Sequence, residues 1–239
     1  MNRLADLKHL YALLNRLERA LGGKRALDNM GTARSWPRRG IYFFYEPGEH
    51  RTDTGAGPRL VRIGTHALGV GAQSTLHQRL RQHGGRSAGG GNHRGSIFRL
   101  LVGEALLTRG ACPTCASWGV KGDIGKAAAI LEKTRSELSE SESPVELAVS
   151  AYLRAMPFLW LPVDDEPGPE SLRGVIERNT IALVSNFDRS PLDPPSGGWL
   201  GHLSGREKVR RSGLWNQRHV DEDYDPAFLD ALETLISRV

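Results

Sequence analysis

The sequence is poor in cysteine and has no long apolar run, and each shortage excludes a class of protein. Only Cys112 and Cys115, in the stretch CPTC, are present among 239 residues. A single pair cannot supply the disulfide framework of a small secreted domain. No apolar stretch approaches the roughly 18 residues that a membrane helix needs. The opening MNRLADLKHLYALLNRLERALGG carries a charge every few positions, so it is not a signal peptide. We expect a cytoplasmic protein with no membrane partner.

The two cysteines leave three interpretations open. A structural zinc site needs about four ligands, and no second Cys or His pair follows CPTC at a standard spacing. Two reduced thiols in a loop are the simplest interpretation. Zinc binding with distant histidines and a redox pair are the alternatives.

Arginine is abundant, and it is concentrated in the first half of the chain. The net charge is +5, but residues 1–110 hold 18 Lys+Arg against 7 Asp+Glu, whereas residues 111–239 hold 14 against 20. Such asymmetry indicates an anionic polymer as the partner of the first half, and the planar fork of arginine suits phosphate. The alternative is an ordinary basic surface. A hydrophobic content of 39% is enough for a globular core.

Hydrophobic periodicity predicts an α+β fold. Leucines at helical spacing over residues 3–21, followed by two glycines, indicate an amphipathic helix. Residues 40–46 and 59–65 are expected to form antiparallel strands joined by a long loop, and the apolar run 157–163 a third strand. Further helices are expected at 73–83, 96–108, 124–142, 144–156, 169–184 and 226–238. The architecture is then a small, three-stranded, mostly antiparallel sheet flanked by helices, with extra helical segments.

Five short motifs follow one another on these elements. Gly40-Ile41-Tyr42 opens the first strand and Arg62-Ile63-Gly64 ends the second. The next helix, LHQRLRQH, carries Arg79 and His83, and VIERNTIALVSN later supplies Glu177 and Asn186. This order resembles the GIY-YIG nuclease family over residues 37–84 and 157–187. The sequence departs from the family at Arg62, which replaces the second signature tyrosine.

The resemblance implies a division of the chain into three parts. Residues 1–36 form an N-terminal amphipathic helix and linker. Residues 37–190 form a GIY-YIG-like nuclease core with a helical insertion at about 109–156. Residues 191–239 form a C-terminal extension packed on that core.

The resemblance also implies a metal-dependent endonuclease that hydrolyses DNA, with RNA not excluded. Tyr42 would be the general base, Arg79 would bind the phosphate, and Glu177 would hold Mg²⁺ or Mn²⁺ through oxygen. His83, one helical turn from Arg79, would accept or relay the phenolic proton. Asn186 would hold Glu177 or Tyr42 by hydrogen bonds. Restriction or phage defence is the favoured role, with repair and mobile-element activity as alternatives, and a homodimer would cut both strands.

Other polar residues are candidates for contact with the nucleic acid. His66 lies two residues after the second signature, near the expected scissile phosphate, and Arg62 itself is a candidate phosphate ligand. The glycine-rich loop 89–96 offers Asn92, His93 and Arg94 as donors. The basic segment 204–219 offers Arg210 and Arg211, with Trp215 as a candidate stacking group. A flexible connector and an ordinary packed surface segment are the alternatives for these two stretches.

Three further alternatives stay open at this level. The acidic run Asp164-Asp165-Glu166 is either a second metal site or the start of a helix. The replacement of the second tyrosine by Arg62 also fits a non-catalytic nucleic-acid-binding module on the same fold. A zinc-stabilised adaptor built around Cys112 and Cys115 is the third.

Overall fold

The computed structural model describes residues 2–86 and 90–239. Gly89, the first residue of the glycine-rich loop, lies outside the described residues. Three strands form one antiparallel sheet in the order β2-β1-β3: β1 (Gly40–His50), β2 (Pro58–Gly64) and β3 (Phe158–Pro162). The α-helices of the described residues are α1 (Arg3–Ala20), α2 (Leu76–Gly84), α3 (Ile97–Thr108), α4 (Ile124–Ile130), α5 (Arg135–Arg154), α6 (Leu172–Val184), α7 (Glu207–Ser212) and α8 (Phe228–Ile236). The predicted α+β fold is confirmed.

The sheet separates two hydrophobic cores because β1 alternates between its faces. Ile41, Phe43 and Tyr45 pack on the side of α1, α6 and α8, while Tyr42 and Phe44 pack on the side of α2, α3 and α5. β1 is central, and its first seven residues are all buried. Alternation of this kind is what the period-2 geometry of a strand imposes when both faces are covered.

The helices predicted at 124–142 and 144–156 are placed wrongly. The break falls earlier, between α4 and α5, because Thr134 and Glu137 form a reciprocal capping box that starts a new helix. α5 then continues through Pro144, which lies on the exposed face where water can satisfy the carbonyl left without a partner. The opposite face of α5 is buried, so packing outweighs the local cost of the proline.

The outer edge of β2 is covered by the C-terminal segment that follows α7. The backbone N–H of Trp215 donates to the carbonyl of Val61 at 2.7 Å. The side-chain amide of Asn216 donates to the carbonyl of Ile63 at 2.9 Å and accepts from its N–H at 3.2 Å. The amide thus mimics a fourth strand and leaves these edge groups satisfied. Residues 216–219 are carried by this pairing to the C-terminal end of β2.

A buried carboxylate in β1 joins the sheet to two distant segments. Glu46 accepts hydrogen bonds from the hydroxyl of Tyr152 on α5 and from the indole N–H groups of Trp199 and Trp215, at 3.1 and 3.0 Å. Burial raises the pKa of the Glu46 carboxyl above its ordinary value even though these donors favour the charged form.

Among the described residues, no helix has the length and apolar character needed to cross a bilayer.

Replacing Glu46 by Gln should make stability less dependent on pH. The amide keeps an oxygen for the two indoles and offers N–H to Tyr152, but it does not titrate. Because the folded-state pKa of Glu46 is raised, its contribution to the free energy of unfolding falls as pH rises from 4.5, its ordinary pKa, through the folded value. The wild type should therefore lose stability relative to Glu46→Gln as the pH rises above 4.5 in urea unfolding. A constant difference between the two proteins would contradict this assignment.

Candidate active site

A cavity of about 1330 Å³ opens beside the C-terminal end of β2. Its walls come from the loop after β2, from α2, from α6 and from the C-terminal segment. The lining side chains that can carry positive charge are Arg62, Arg79, Arg81, Arg86, Lys208, Arg218 and two histidines, His66 and His219. Glu177 is the one carboxylate among the described lining residues. A cavity of this composition attracts a polyanion.

Glu177 is aimed at the end of β2 by the way α6 begins. Asp165 accepts from the hydroxyl of Ser171 and pairs with Arg173, so the run of acidic residues before α6 takes the helix-start role. One turn further on, Oε1 of Glu177 accepts from the backbone N–H of Thr65 at 3.0 Å. Its Oε2 accepts no hydrogen bond from the described residues. Burial raises the pKa of Glu177, against the opposing effect of Arg62, the Thr65 N–H and other nearby cations.

Tyr42 and His83 are in contact, as the sequence predicted. The Tyr42 hydroxyl lies 2.9 Å from Nε2 of His83, and Nδ1 of His83 lies 2.8 Å from the hydroxyl of Ser96, the N-cap of α3. Burial lowers the pKa of His83 well below its ordinary value, and three arginines add to the effect, so the ring is neutral. With its proton on Nδ1, His83 donates to Ser96 and accepts the phenolic proton from Tyr42.

Gly64 faces Tyr42 across the sheet, and this pairing requires a glycine. The register places Gly64 directly opposite Tyr42, so both lie on the same face. A Cβ at Gly64 would overlap the Tyr42 hydroxyl and ring. Tyr42 is 0% exposed and lies outside the lining of the cavity. The phenol is thus held behind the cavity wall.

Arg62 and Arg79 each keep a donor without a partner. Arg62 shares the sheet face of Tyr42, lies over the ring of Phe98 at 5.5 Å and donates from Nη1 to the carbonyl of Trp215. Arg79 donates from Nη1 to Gln82 at 2.7 Å. In both arginines Nε is buried and bonded to nothing in the described part of the chain. An orphaned buried donor of this type fits an oxygen of a bound anion.

His66 presents a neutral imidazole to the cavity. It is 7% exposed, and neither ring nitrogen has a hydrogen-bond partner among the residues that the structure describes. Burial and the nearby Arg173, Arg79 and Arg39 lower its pKa to about 4. The ring can therefore donate or accept one hydrogen bond, but it carries no charge at neutral pH.

Asn186 is not where the sequence placed it. Its Oδ1 accepts from Arg3 and from the backbone N–H of Leu192, both at 2.9 Å, and its Nδ2 donates to the carbonyl of Leu192 at 3.1 Å. These bonds tie α1 to the C-terminal segment. The expected bond to Glu177 or Tyr42 does not occur. Asn216 reaches the cavity instead, through its pairing with β2.

Two donors expected from the glycine-rich loop are instead bound to α5. His93 is buried, stacks on Trp118 at 3.9 Å and contacts Glu146 through Nδ1 at 3.0 Å. Arg94 makes a bidentate pair with Glu142 at 2.6 and 2.7 Å. Both side chains therefore hold the loop against the helix. Asn92 is exposed and lines the cavity, in keeping with the expected contact.

The basic segment 204–219 reaches the cavity through residues that the sequence did not single out. Arg211 pairs with Asp188 and Glu207, and Arg210 donates to the carbonyl of Ser204; neither arginine lines the cavity. Trp215 is fully buried and cannot stack on a base. Lys208, Arg218 and His219 line the cavity instead. The cluster of positive charge in the sequence indicated that this segment binds an anion. The fold of the segment decides which of its basic residues line the cavity.

The donor set of the cavity fits a divalent ion held by one carboxylate. The described residues contain no group of three or more His, Cys, Asp or Glu placed to hold a metal, and Cys112 and Cys115 are free thiols. Glu177 has one oxygen unpaired and a carboxylate whose charge is disfavoured by burial, which a cation would offset. Mg²⁺ is commonly bound by one or two carboxylates, with waters and substrate phosphates completing its shell.

The fold and the side chains at the cavity define a nuclease-type domain. A family model described as the GIY-YIG domain matches residues 1–239, and the chain belongs to that family. Membership implies a nucleic-acid substrate. The match also covers the N-terminal helix, the helices after α3 and the C-terminal segment, which the short motifs did not reach. Searches of curated proteins and of solved structures found no match.

Gly64→Ala should destabilise the protein and displace Tyr42. The added methyl group has no room beside the phenol, and overpacking of a tight core costs about 1–3 kcal/mol. Gly69→Ala is the matched control, because a Cβ there meets nothing within 4 Å and the backbone is not left-handed. Urea unfolding of the two variants should show a loss for Gly64→Ala alone. Equal stability of both variants would contradict the close packing of Tyr42 on Gly64.

Proposed function

We propose that the protein is a metal-dependent endonuclease that hydrolyses DNA phosphodiester bonds. The proposal rests on the charged groups that surround Glu177 in the cavity. A single carboxylate with a free oxygen lies in a cavity whose other charged lining residues are lysine and arginines, and two of these arginines have a donor without a partner among the described residues. Family membership supports a nucleic-acid substrate. A role in restriction or phage defence, and a homodimer for cutting both strands, are part of the proposal.

Glu177 would hold the Mg²⁺ or Mn²⁺ ion through Oε2. When bound, such an ion supplies positive charge to the phosphate and to the oxygen that leaves it. Arg79 and Arg62, which line the cavity, would bind the non-bridging oxygens with their guanidinium groups, whose Nε donors have no partner among the described residues. His66 adds one neutral hydrogen bond. These residues hold the phosphate against the end of β2.

Tyr42 and His83 would remove the proton of the attacking water. Tyr42 takes that proton while its own passes to Nε2 of His83, which is neutral and hydrogen-bonded to it. The hydroxyl of Ser96 can accept the proton of Nδ1, which leaves Nε2 of His83 as the acceptor for Tyr42. Since Tyr42 is 0% exposed, this role requires the cavity wall near Gly64 to move when substrate binds.

The burial of Tyr42 also favours a second candidate, a nucleic-acid-binding module without hydrolysis. In that function the cations would bind the backbone of DNA or RNA, and the Tyr42–His83 pair would only support the sheet. The replacement of the second signature tyrosine by Arg62 points in the same direction. Cleavage separates the two functions, whereas binding is common to both.

Glu177→Gln should abolish metal-dependent cutting of plasmid and single-stranded DNA. Loss of a group that stabilises developing charge costs about 10²–10³ in rate. Tyr42→Phe should also lose activity, because the phenolic oxygen is removed while the ring packing stays. Glu170→Gln, an exposed carboxylate at the turn before α6, is the control and should cut normally. Normal cutting by both active-site variants would overturn the assignment, and salt-dependent binding without cutting by the wild type would favour the binding module.

The cavity arginines without side-chain partners should contribute to phosphate binding. Arg81 and Arg218 are exposed, line the cavity and form no ion pair in the described part of the chain. Replacing either by Ala should reduce the slope of log K against log[salt] by about one, measured with chelator present to prevent cutting. Arg109→Ala and Arg135→Ala remove the same charge outside the cavity and should leave the slope unchanged. An equal reduction of the slope in all four variants would mean that binding depends on the net charge of the protein and not on the cavity arginines.

A further inference from the structure

His219 lines the cavity and has a constrained position. Its backbone is left-handed, with φ of +64°, and the preceding Trp215 and Asn216 are fixed on the edge of β2. Nδ1 lies 2.9 Å from Oε1 of Glu222. Nε2 has no hydrogen-bond partner among the described residues, and the side chain is 30% exposed at the cavity. Left-handed residues other than glycine often occur at functional sites.

Glu222 is itself held in place by α6. Arg178, the neighbour of Glu177, pairs with the other carboxylate oxygen of Glu222. Burial raises the pKa of Glu222, but the hydrogen bonds from His219 and Arg178 outweigh it and lower the pKa below its ordinary value. An ionised carboxylate on Nδ1–H fixes the tautomer of a histidine and stabilises its imidazolium form. The same helix therefore positions Glu177 and the anchor of His219.

The three histidines at or beside the cavity differ in whether they can donate a proton to a substrate. His83 and His66 are buried among arginines, and their lowered pKa values leave them without a proton to give at neutral pH. His219 is the one of these three that has a carboxylate on its ring. The charged groups around it are Glu222, Asp221 and Arg218 from its own segment, Glu177 and Arg178 from α6, and Lys208 from α7, which pairs with Asp221.

His219 reaches the cavity from a different element than Tyr42 and His83. Tyr42 comes from the central strand and His83 from α2, whereas His219 comes from the segment that covers the edge of β2. Glu177, bonded to Thr65 at the end of β2, lines the same cavity as His219, and the charge of His219 favours the ionised form of its carboxyl. Phosphoryl transfer needs separate groups for the attacking and the leaving oxygen, which lie roughly in line on opposite sides of phosphorus.

We propose that His219, held by Glu222, is the general acid that protonates the leaving oxygen. This rests on the proposed hydrolysis. The water oxygen forms a bond to phosphorus, and its proton goes to the Tyr42–His83 side. The bond from phosphorus to the 3′ oxygen breaks with its electron pair on that oxygen, which takes the proton from Nε2 of His219. The exposed ring of His219 then regains a proton from solvent, and Glu222 is a positioning residue.

The decisive variant is His219→Asn. Asparagine tolerates a left-handed backbone, and its amide can still donate to Glu222, but it has no counterpart of Nε2. The substrates are two oligonucleotides that differ at the linkage the wild type cuts, one natural and one with sulfur in place of the 3′ bridging oxygen. A thiolate leaves without a proton. Cutting of the natural linkage should fall about 10²–10⁴-fold, the range of general acid catalysis, and cutting of the sulfur linkage should stay near the wild-type rate.

Equal losses on both linkages would overturn the inference, because a structural defect does not depend on the leaving atom. His9→Asn, an exposed histidine on α1, makes the same substitution far from the sheet edge and should change neither rate. Normal cutting of both linkages by His219→Asn would overturn the general acid while leaving the proposed nuclease intact. A wild type that cuts neither linkage would overturn both proposals.

Glu222→Gln tests the positioning role. The amide accepts Nδ1–H less strongly than the carboxylate and gives up the ion pair with Arg178, so kcat on the natural linkage should fall while KM and the rate on the sulfur linkage stay near the wild-type values. Asp223→Asn, which removes an exposed charge one residue away, should leave the rates on both linkages unchanged. An unchanged kcat on the natural linkage in Glu222→Gln would overturn the role of Glu222.

Discussion

The buried carboxylate of Glu46 is the interaction on which the cavity depends. Its oxygens bind Tyr152, Trp199 and Trp215, and the last of these also pairs with the edge of β2. An ionised group is costly to bury without hydrogen bonds, so the three donors and the carboxylate require one another. The arrangement fixes the C-terminal segment against the sheet, and residues 216–219 form a cavity wall as a consequence.

The cavity combines two kinds of electrostatic environment. Tyr42, His83 and Ser96 form a buried chain in which burial keeps the imidazole neutral. On the other wall, Glu222 and His219 form a pair that water can reach. Glu177 lines the same cavity, and burial disfavours its charge while the surrounding cations favour it. Such opposing environments allow one site both to accept and to donate a proton near neutral pH.

Much of the fold followed from local pattern, and the failures have physical causes. The strands were predicted because short runs of apolar, strand-favouring residues are local signals, and Tyr42, Arg79 and Glu177 were predicted from motif order. The break in the helices after α3 was misplaced because a capping box and a buried face outweighed Pro144. Asn186 was assigned a partner it does not have, since Arg3, more than 180 residues away in sequence, takes its side chain.

The order of the short motifs and the excess of arginine in the first half follow from the sequence alone. The strand register that sets Gly64 against Tyr42, and the choice of which charged groups are free, depend on the tertiary structure. Arg94 is paired with Glu142 while Arg81 lines the cavity, and Glu222, the partner of His219, is held in turn by Arg178 of α6. The reason is that a local run of charged residues does not show what each side chain contacts. The partner can be water, a neighbouring residue, or a segment that is distant in sequence and close in the fold.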